Sequence, residues 1–159
     1  MCIRDSDLAG YYAHGAAIDE NIRRLLAVVD DDSDSIVVFC SDHGDMLGSH
    51  GKQRKQAPWD DSALVLLIVR WPDGLPQGEI SSVRFSTVNF MPMLLGWMEV
   101  ESPQAVEGMD LGLAIAGVET GPKLAFLQVI VSFAEQVERE WRAVRTVRYT
   151  CLLYTSDAA

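Results

Sequence analysis

Apolar residues recur at helical spacing over residues 8–29, with Tyr12, Ile18, Ile22 and Leu26 on one side and charged residues on the other. This pattern predicts an amphipathic helix that packs on its apolar stripe. Alternate aspartates over residues 30–34 resemble the start of a calcium loop, but an EF-hand would need Gly at 35 and Glu at 41, where both residues are Ser. We therefore interpret this run as a solvated loop.

Two continuous apolar runs of strand length follow, at residues 36–40 and 64–69. Runs of this kind are typical of strands that are covered on both faces of a mostly parallel sheet. We accordingly expect Cys40 to be a buried, inert thiol. The order of helix, loop and strand predicts the α/β class.

The second half of the chain has weaker periodicity. A turn cluster at residues 71–76 precedes a short strand or turn that leads from residue 86 into an apolar helix near residues 93–97. The Gly-rich stretch at 108–121 is ambiguous. The apolar run at 124–133 predicts a strand that could pair with residues 141–149 as a hairpin, in a register that the pattern does not define.

Composition narrows the possible functions. The chain has 159 residues, of which 48% are hydrophobic and 23% are charged, which is enough to bury one core. A formal charge of -10 argues against nonspecific nucleic-acid binding, which needs a basic face. No run approaches the roughly 20 apolar residues of a membrane span. The start of the chain shows no signal-peptide pattern, and the three cysteines have no metal-ligand spacing.

Polar side chains follow the first predicted strand directly, in the order Ser41, Asp42, His43, Gly44 and Asp45. Ligands bind at this carboxyl edge in open α/β sheets. A carboxylate oxygen and an imidazole nitrogen at a strand-to-loop turn can converge on one metal ion. Taken alone, the same four residues fit an Asx-type turn equally well. The loop that continues to about residue 62 is long enough to be functional.

The segment 41–51, together with Lys55 and residues 58–62, resembles the sulfatase signature, and the resemblance extends over nearly all of residues 8–150. It implies an alkaline-phosphatase-like α/β fold, here a partial mixed sheet with flanking helices. It also implies that Asp42 and His43 ligate a divalent ion, usually Ca²⁺, and that Lys55, 13 positions after Asp42, binds the sulfate group. The substrates would be small-molecule or carbohydrate sulfate esters. Members of the family are often periplasmic, secreted or lysosomal.

The chain departs from the family pattern at several places. Leu64 and Leu66 stand in an Arg-Val-Pro position, and Asn89 replaces an Asp. The Cys/Ser-x-Pro-x-Arg segment that provides the formylglycine nucleophile has no counterpart, and neither do the paired N-terminal aspartates of the metal site. We therefore expect a fragment, with a partial sulfatase domain at 7–150 and non-native ends at 1–6 and 151–159, that binds metal weakly and does not turn over.

Two other functions remain open. A phosphodiesterase or phosphonate monoester hydrolase of the same superfamily would share the Asp-His-Gly turn and would use Mn²⁺ or Zn²⁺. An inactive, truncated binding module would explain the departures listed above. Outside the metal pair, we interpret Lys52, Arg54 and His50 as surface groups, and His14 and Asp19 as structural.

Overall fold

The computed structural model describes residues 3–55, 57–129 and 141–154. These residues contain four helices and five strands, together with two short 3-10 turns at Ser49–Gly51 and Thr87–Asn89. In chain order they are α1 (Ile3–Val29), β1 (Val37–Cys40), α2 (Asp60–Ala63), β2 (Leu67–Arg70), α3 (Phe90–Trp97), α4 (Gly112–Ile115), β3 (Leu124–Val129), β4 (Trp141–Thr146) and β5 (Thr150–Tyr154). β1 and β2 form one sheet, and β3, β4 and β5 form another.

The chain divides into two compact units. The first contains the described residues up to Phe39 together with Ile68–Leu75, and the second contains Cys40–Leu67 and the described residues from Pro76 onward. None of the helices in the described part of the chain is both long and apolar enough to cross a membrane.

The first unit is organised around the C-terminal end of α1. Arg70 donates hydrogen bonds to the carbonyl oxygens of Val29 and Asp30, at 3.2 and 2.7 Å. The last turn of a helix leaves carbonyl groups without helical partners, and a cation there interacts favourably with the helix dipole. The Ser33 hydroxyl adds a second tie, because it donates to the Asp73 carboxylate at 2.8 Å. Residues at the end of β2 and just after it therefore bind the C-terminal end of α1 and the turn that follows it.

The acidic run after α1 is an exposed turn, as predicted. The carboxylate of Asp32 accepts hydrogen bonds from the Ser35 hydroxyl at 2.6 Å and from the Asp34 amide at 3.1 Å. The Ser35 hydroxyl is the main reason why the pKa of Asp32 lies below its ordinary value. These hydrogen bonds hold the turn closed.

Two burial predictions for this region are wrong. Much of the apolar stripe of α1, including Tyr12 and Ile18, is exposed, although Ile22 and Leu26 are half-buried. β1 is a strand as predicted, but Phe39 and Cys40 are exposed rather than covered. The physical reason is that β1 has β2 as its one sheet neighbour in the described chain, so the faces of this narrow sheet are not enclosed.

The second apolar run forms a shorter strand than predicted. β2 begins at Leu67, and both Leu64 and Leu66 are exposed residues before it. The turn cluster after β2 is confirmed, since the amides of Gly74 and Leu75 donate to the Trp71 carbonyl at 3.1 and 2.9 Å.

The core of the second unit lies around α3 and α4. The Met93 side chain is fully buried, and Leu111 and Ala114 are buried with it in the unit's core. The apolar helix predicted near residues 93–97 is confirmed, although it starts earlier, and it follows a 3-10 turn, one of the two predicted alternatives. The buried Asn89 amide oxygen accepts a hydrogen bond from the Met109 amide at 2.9 Å, so the side chain at this position has a structural role.

The hairpin predicted in the last third is confirmed in the described residues. β3 and β4 are antiparallel, with Leu124 opposite Thr146 and Val129 opposite Trp141. The rest of the predicted strand, at 130–133, lies outside the described residues. A turn follows β4, because the Thr146 hydroxyl accepts from the Arg148 and Tyr149 amides and leads the chain into β5. The assignment of residues 1–6 and 151–159 as non-native ends stays a prediction.

Candidate metal and sulfate site

The candidate site begins in the turn directly after β1. The Ser41 hydroxyl donates to the His43 carbonyl at 2.8 Å, and the His43 amide donates to Oδ1 of Asp42 at 3.0 Å. The Asp42 side chain is 83% exposed. The hydrogen bond of this turn therefore uses Oδ1 of Asp42 and leaves Oδ2 available for another contact.

The imidazole of His43 is held in one orientation by its own backbone neighbour. Nδ1 lies 2.8 Å from the Gly44 carbonyl oxygen, which can only accept, so Nδ1 carries the proton and donates. In the neutral ring this leaves the lone pair on Nε2, which lies 3.4 Å from Oδ2 of Asp42. A backbone carbonyl that fixes the tautomer in this way is the usual support of a metal-binding histidine.

Lys55 occupies the space that this lone pair faces. Its Nζ lies 2.8 Å from Nε2 of His43, and because an ammonium has no lone pair it is the donor in this hydrogen bond. The imidazole lone pair of His43 thus faces a cationic group, the ammonium of Lys55.

The register of a hairpin-like loop brings Lys55 back to His43. The Met46 amide donates to the Arg54 carbonyl at 2.7 Å, and the Gly48 amide donates to the Lys52 carbonyl at 2.9 Å. The reversal between them uses left-handed backbone at Gly48 (φ 95°) and His50 (φ 53°). Two antiparallel contacts of this kind explain why a separation of 13 residues places Lys55 beside the metal pair.

The far end of the loop is anchored by α2. The Gly44 amide donates to the carbonyl of the buried Ser62 at 2.9 Å, while the Ser62 hydroxyl accepts from the Ala57 amide at 3.2 Å. A Cβ at Gly44 would lie 2.0 Å from the Asp61 carbonyl oxygen, so only glycine allows this approach. Met46, buried beneath the loop, fills its interior. The turn that carries the metal pair is therefore packed directly on α2.

An ion pair with β4 also fixes α2. The guanidinium of Arg145 in β4 contacts both carboxylate oxygens of Asp60, at 2.8 and 3.0 Å, and also donates to the Thr150 hydroxyl at 2.6 Å. Such a bidentate contact is geometrically specific. Sequence reasoning missed it, because 85 positions separate the partners and nothing local marks either residue.

Aromatic stacking occupies the outer part of the loop. The rings of His50 and Trp59 lie 4.6 Å apart at 14°, and Nζ of Lys52 lies 6.0 Å from the Trp59 ring centre. His50, Lys52 and Arg54 are exposed, as predicted for surface groups. The stacking itself was not predicted, although the two aromatic residues flank the predicted functional loop.

The donor set fits a divalent metal in part. Asp42 and His43 supply one oxygen and one nitrogen, which suit a hard or borderline ion. Within residues 3–55, 57–129 and 141–154, no group of three or more His, Cys, Asp or Glu side chains could surround an ion. Two protein ligands leave most of a coordination sphere open, so these residues fit one edge of a metal site. In the first unit, His14 donates to the Gly10 carbonyl within α1, a structural contact.

Comparison with known proteins identifies related chains. The family model described as Sulfatase matches residues 3–100. An ulvan-active sulfatase of Formosa agariphila is 34% identical over 152 residues, which cover 91% of this chain and 30% of that protein. An N-acetylglucosamine-6-O-sulfatase of Bacteroides thetaiotaomicron is 29% identical over 154 residues, covering 92% and 28%. The chain thus spans about 30% of the length of these relatives.

Solved structures have the same fold. A protein crystallised with its substrate D-glucosamine-2-N,6-O-disulfate superimposes with a TM-score of 0.80 and 28% identity, over 89% of this chain and 30% of that one. The phosphonate monoester hydrolase of Agrobacterium radiobacter gives a TM-score of 0.76 at 20% identity, over 87% and 31%. These likenesses confirm the predicted alkaline-phosphatase-like α/β fold.

Proposed function

The chain belongs to the sulfatase family, and from this premise we propose that the protein hydrolyses sulfate esters, with Asp42 and His43 as metal ligands and Lys55 as the sulfate-binding residue. The observation that carries the proposal is that Nε2 of His43 lies 3.4 Å from Oδ2 of Asp42 and 2.8 Å from Nζ of Lys55, in the loop that follows β1. Each of the three groups has the charge that its role requires.

Asp42 and His43 present two electron pairs to one position. Gly44 keeps the proton of His43 on Nδ1, so Nε2 remains a ligand rather than a donor. The divalent ion of the family would neutralise charge on the sulfate oxygens when bound. We propose Ca²⁺, because an exposed carboxylate at a loop suits a hard cation with flexible coordination. Mn²⁺ or Zn²⁺ is the alternative for a phosphohydrolase.

Lys55 carries a positive charge that does not depend on a bound metal ion. Its ammonium has three N–H donors, and the one that points to His43 in this structure is released when Nε2 ligates the metal, so these donors can bind sulfate oxygens. In the reaction this group holds the sulfate in place and offsets the negative charge that develops during sulfuryl transfer. The Gly44–Ser62 contact and the loop register keep it next to the metal pair.

The attacking group belongs to the part of the proposal that rests on the family alone. Sulfatases use a hydrated formylglycine made from Cys or Ser in a Cys/Ser-x-Pro-x-Arg segment, and the 159 residues contain no such segment. We propose that the parent protein supplies it and that the chain as given does not turn over. As relatives include enzymes named for ulvan and for N-acetylglucosamine-6-O-sulfate, we propose a carbohydrate sulfate ester as the substrate.

The first test is the coding sequence upstream of residue 7 in the source DNA. Finding Cys/Ser-x-Pro-x-Arg supports a formylglycine sulfatase. Finding Thr or an unmodified nucleophile moves the activity to phosphoryl transfer, and finding no upstream domain leaves the inactive module. The extended protein is then assayed on 4-nitrophenyl sulfate and on 4-nitrophenyl phenylphosphonate, where preference for the phosphonate would overturn the proposal.

The second test measures metal binding by the chain itself. The imidazole of His43 is followed by ¹H–¹⁵N NMR during titration with CaCl₂, with binding expected at about millimolar concentration or weaker, since two protein ligands are fewer than a full calcium site has. Asp42→Asn should weaken the binding, while Asp31→Asn, in the exposed acidic turn, serves as the matched control. Equal effects of the two substitutions would contradict the assignment of the metal site.

A further inference from the structure

The roles assigned above leave the outer part of the loop unexplained. Three cations, Lys52, Arg54 and Lys55, stand within four positions of a chain whose net charge is -10. Lys55 contacts His43. Lys52 and Arg54 are exposed, and neither forms an ion pair in the described part of the chain. Neighbouring like charges repel, so this concentration needs a reason other than stability.

The acidic residues nearest along the chain do not neutralise these cations. Asp60 is held by the guanidinium of Arg145 at 2.8 Å, and Asp61 accepts from the Ser49 hydroxyl at 3.2 Å. Asp45 accepts from the Leu47 amide at 2.9 Å. The carboxylates of the loop are therefore engaged in holding its shape, and the two outer cations face solvent.

An aromatic surface lies beside the same cations. His50 stacks on Trp59 at 4.6 Å, and Lys52 Nζ lies 6.0 Å from the centre of the indole ring. His50 adopts a left-handed backbone with φ 53°, which is strained for a residue other than glycine. This strained backbone at His50 places its exposed imidazole ring against the indole of Trp59. An exposed ring next to a cation is a suitable surface for the apolar face of a sugar that carries an anionic substituent.

We propose that Lys52, Arg54 and the His50–Trp59 stack form a binding subsite for a second anionic group on the substrate, next to the sulfate held by Lys55. This inference rests on the proposed function and deepens it. The substrate class is a polyanionic sugar that bears, besides the scissile sulfate ester, another sulfate or a carboxylate. The sugar ring packs on the stacked aromatic side chains, and Lys52 and Arg54 bind the second anion.

The test compares the affinities of three probes for the full chain in CaCl₂ buffer, measured by NMR titration of the Trp indole N–H signals. The probes are inorganic sulfate, D-glucosamine 6-O-sulfate and D-glucosamine 2-N,6-O-disulfate. We expect the disulfate to bind roughly three- to tenfold more tightly than the monosulfate, as one additional exposed charge-assisted contact would give. High salt should reduce this preference.

Substitutions assign the preference to the subsite. Lys52→Met should remove most of it, while Lys123→Met, the matched loss of an exposed lysine elsewhere in the second unit, should preserve it. His50→Gly fits the left-handed backbone and should weaken both sugars without changing the affinity for inorganic sulfate. Equal affinities of the two sugars for the unsubstituted chain, no detectable binding of either, or an equal loss in Lys123→Met would overturn the inference.

The same titrations separate this inference from the proposed function. Lys55→Met should abolish binding of inorganic sulfate if Lys55 is the sulfate-binding residue. If that binding is unchanged, the proposed role of Lys55 fails, whereas the dependence of the disulfate preference on Lys52 still decides whether the subsite exists.

Discussion

The ion pair between Arg145 and Asp60 should stabilise the second unit measurably. Arg145→Met keeps the aliphatic stem of the side chain and removes the guanidinium, which contacts both oxygens of Asp60 and the hydroxyl of Thr150. Asp60→Asn keeps the shape of its partner and removes the charge. A double-mutant cycle on these two substitutions isolates their interaction.

The size of the coupling follows from exposure. The Arg145 side chain is 28% exposed and that of Asp60 is 55% exposed, so solvent screens the pair and its Coulomb energy must be discounted. Exposed pairs contribute about 0.2–1 kcal/mol, and the bidentate geometry places this one near the upper end, at about 1 kcal/mol. Arg145→Met alone should cost about 1–2 kcal/mol, because it also leaves the Thr150 contact unmade.

The assay is urea unfolding of the four proteins of the cycle at low and high salt. The coupling should decrease in 0.5 M NaCl, since the Debye length shortens from about 10 Å at 0.1 M salt to about 3 Å at 1 M salt. If the double substitution destabilises the protein by the sum of the two single substitutions to within about 0.3 kcal/mol, the view that this pair fixes α2 is refuted. His43 gives a second readout: its imidazole signals should shift in Arg145→Met, because α2 holds Gly44, the residue that fixes the ring.

Three further substitutions test the packing and the site. Gly44→Ala should destabilise the chain by about 1–3 kcal/mol in thermal unfolding, because its Cβ would meet a backbone oxygen at 2.0 Å, whereas Gly15→Ala, with open space in α1, should be neutral or stabilising. Met93→Ala should cost about 2–5 kcal/mol in urea unfolding, since the side chain is 0% exposed, and Met91→Ala, at 55%, should cost less than about 0.5 kcal/mol. Lys55→Met removes the ammonium from the imidazole, so calcium should bind several-fold more tightly by NMR titration, and unchanged affinity would contradict a competition between this ammonium and the metal ion for His43.

Local patterns predicted the parts of the fold that local interactions determine. The helical spacing predicted the C-terminal part of α1, and the apolar runs predicted β1, β3 and β4, because their periodicities are visible over a few residues. Burial was predicted less well. Cys40 lies in an apolar run that is typical of a covered strand, but the run is part of a two-stranded sheet in the described chain and the thiol is exposed. The sequence alone does not show how many neighbouring strands a predicted strand has in its sheet.

The candidate site divides in the same way. The family signature suggested Asp42, His43 and Lys55, and in the structure Nε2 of His43 contacts both Oδ2 of Asp42 and Nζ of Lys55, while their roles in metal and sulfate binding stay predictions. Arg145 could not be predicted, because its contact with Asp60 depends on the register of β4, which no local pattern defines. The stack of His50 on Trp59 depends on a left-handed residue in a turn, a conformation that the sequence does not signal at a histidine.

The loop register explains how Lys55, 12 positions after His43, returns to contact it. The paired contacts of Met46 with Arg54 and of Gly48 with Lys52 set which residues of the returning segment face the turn after β1. One added residue in the reversal would shift this register and move Lys55 away from His43. His43 and Lys55, which both lie in the loop that follows β1, therefore depend on one loop register for their contact.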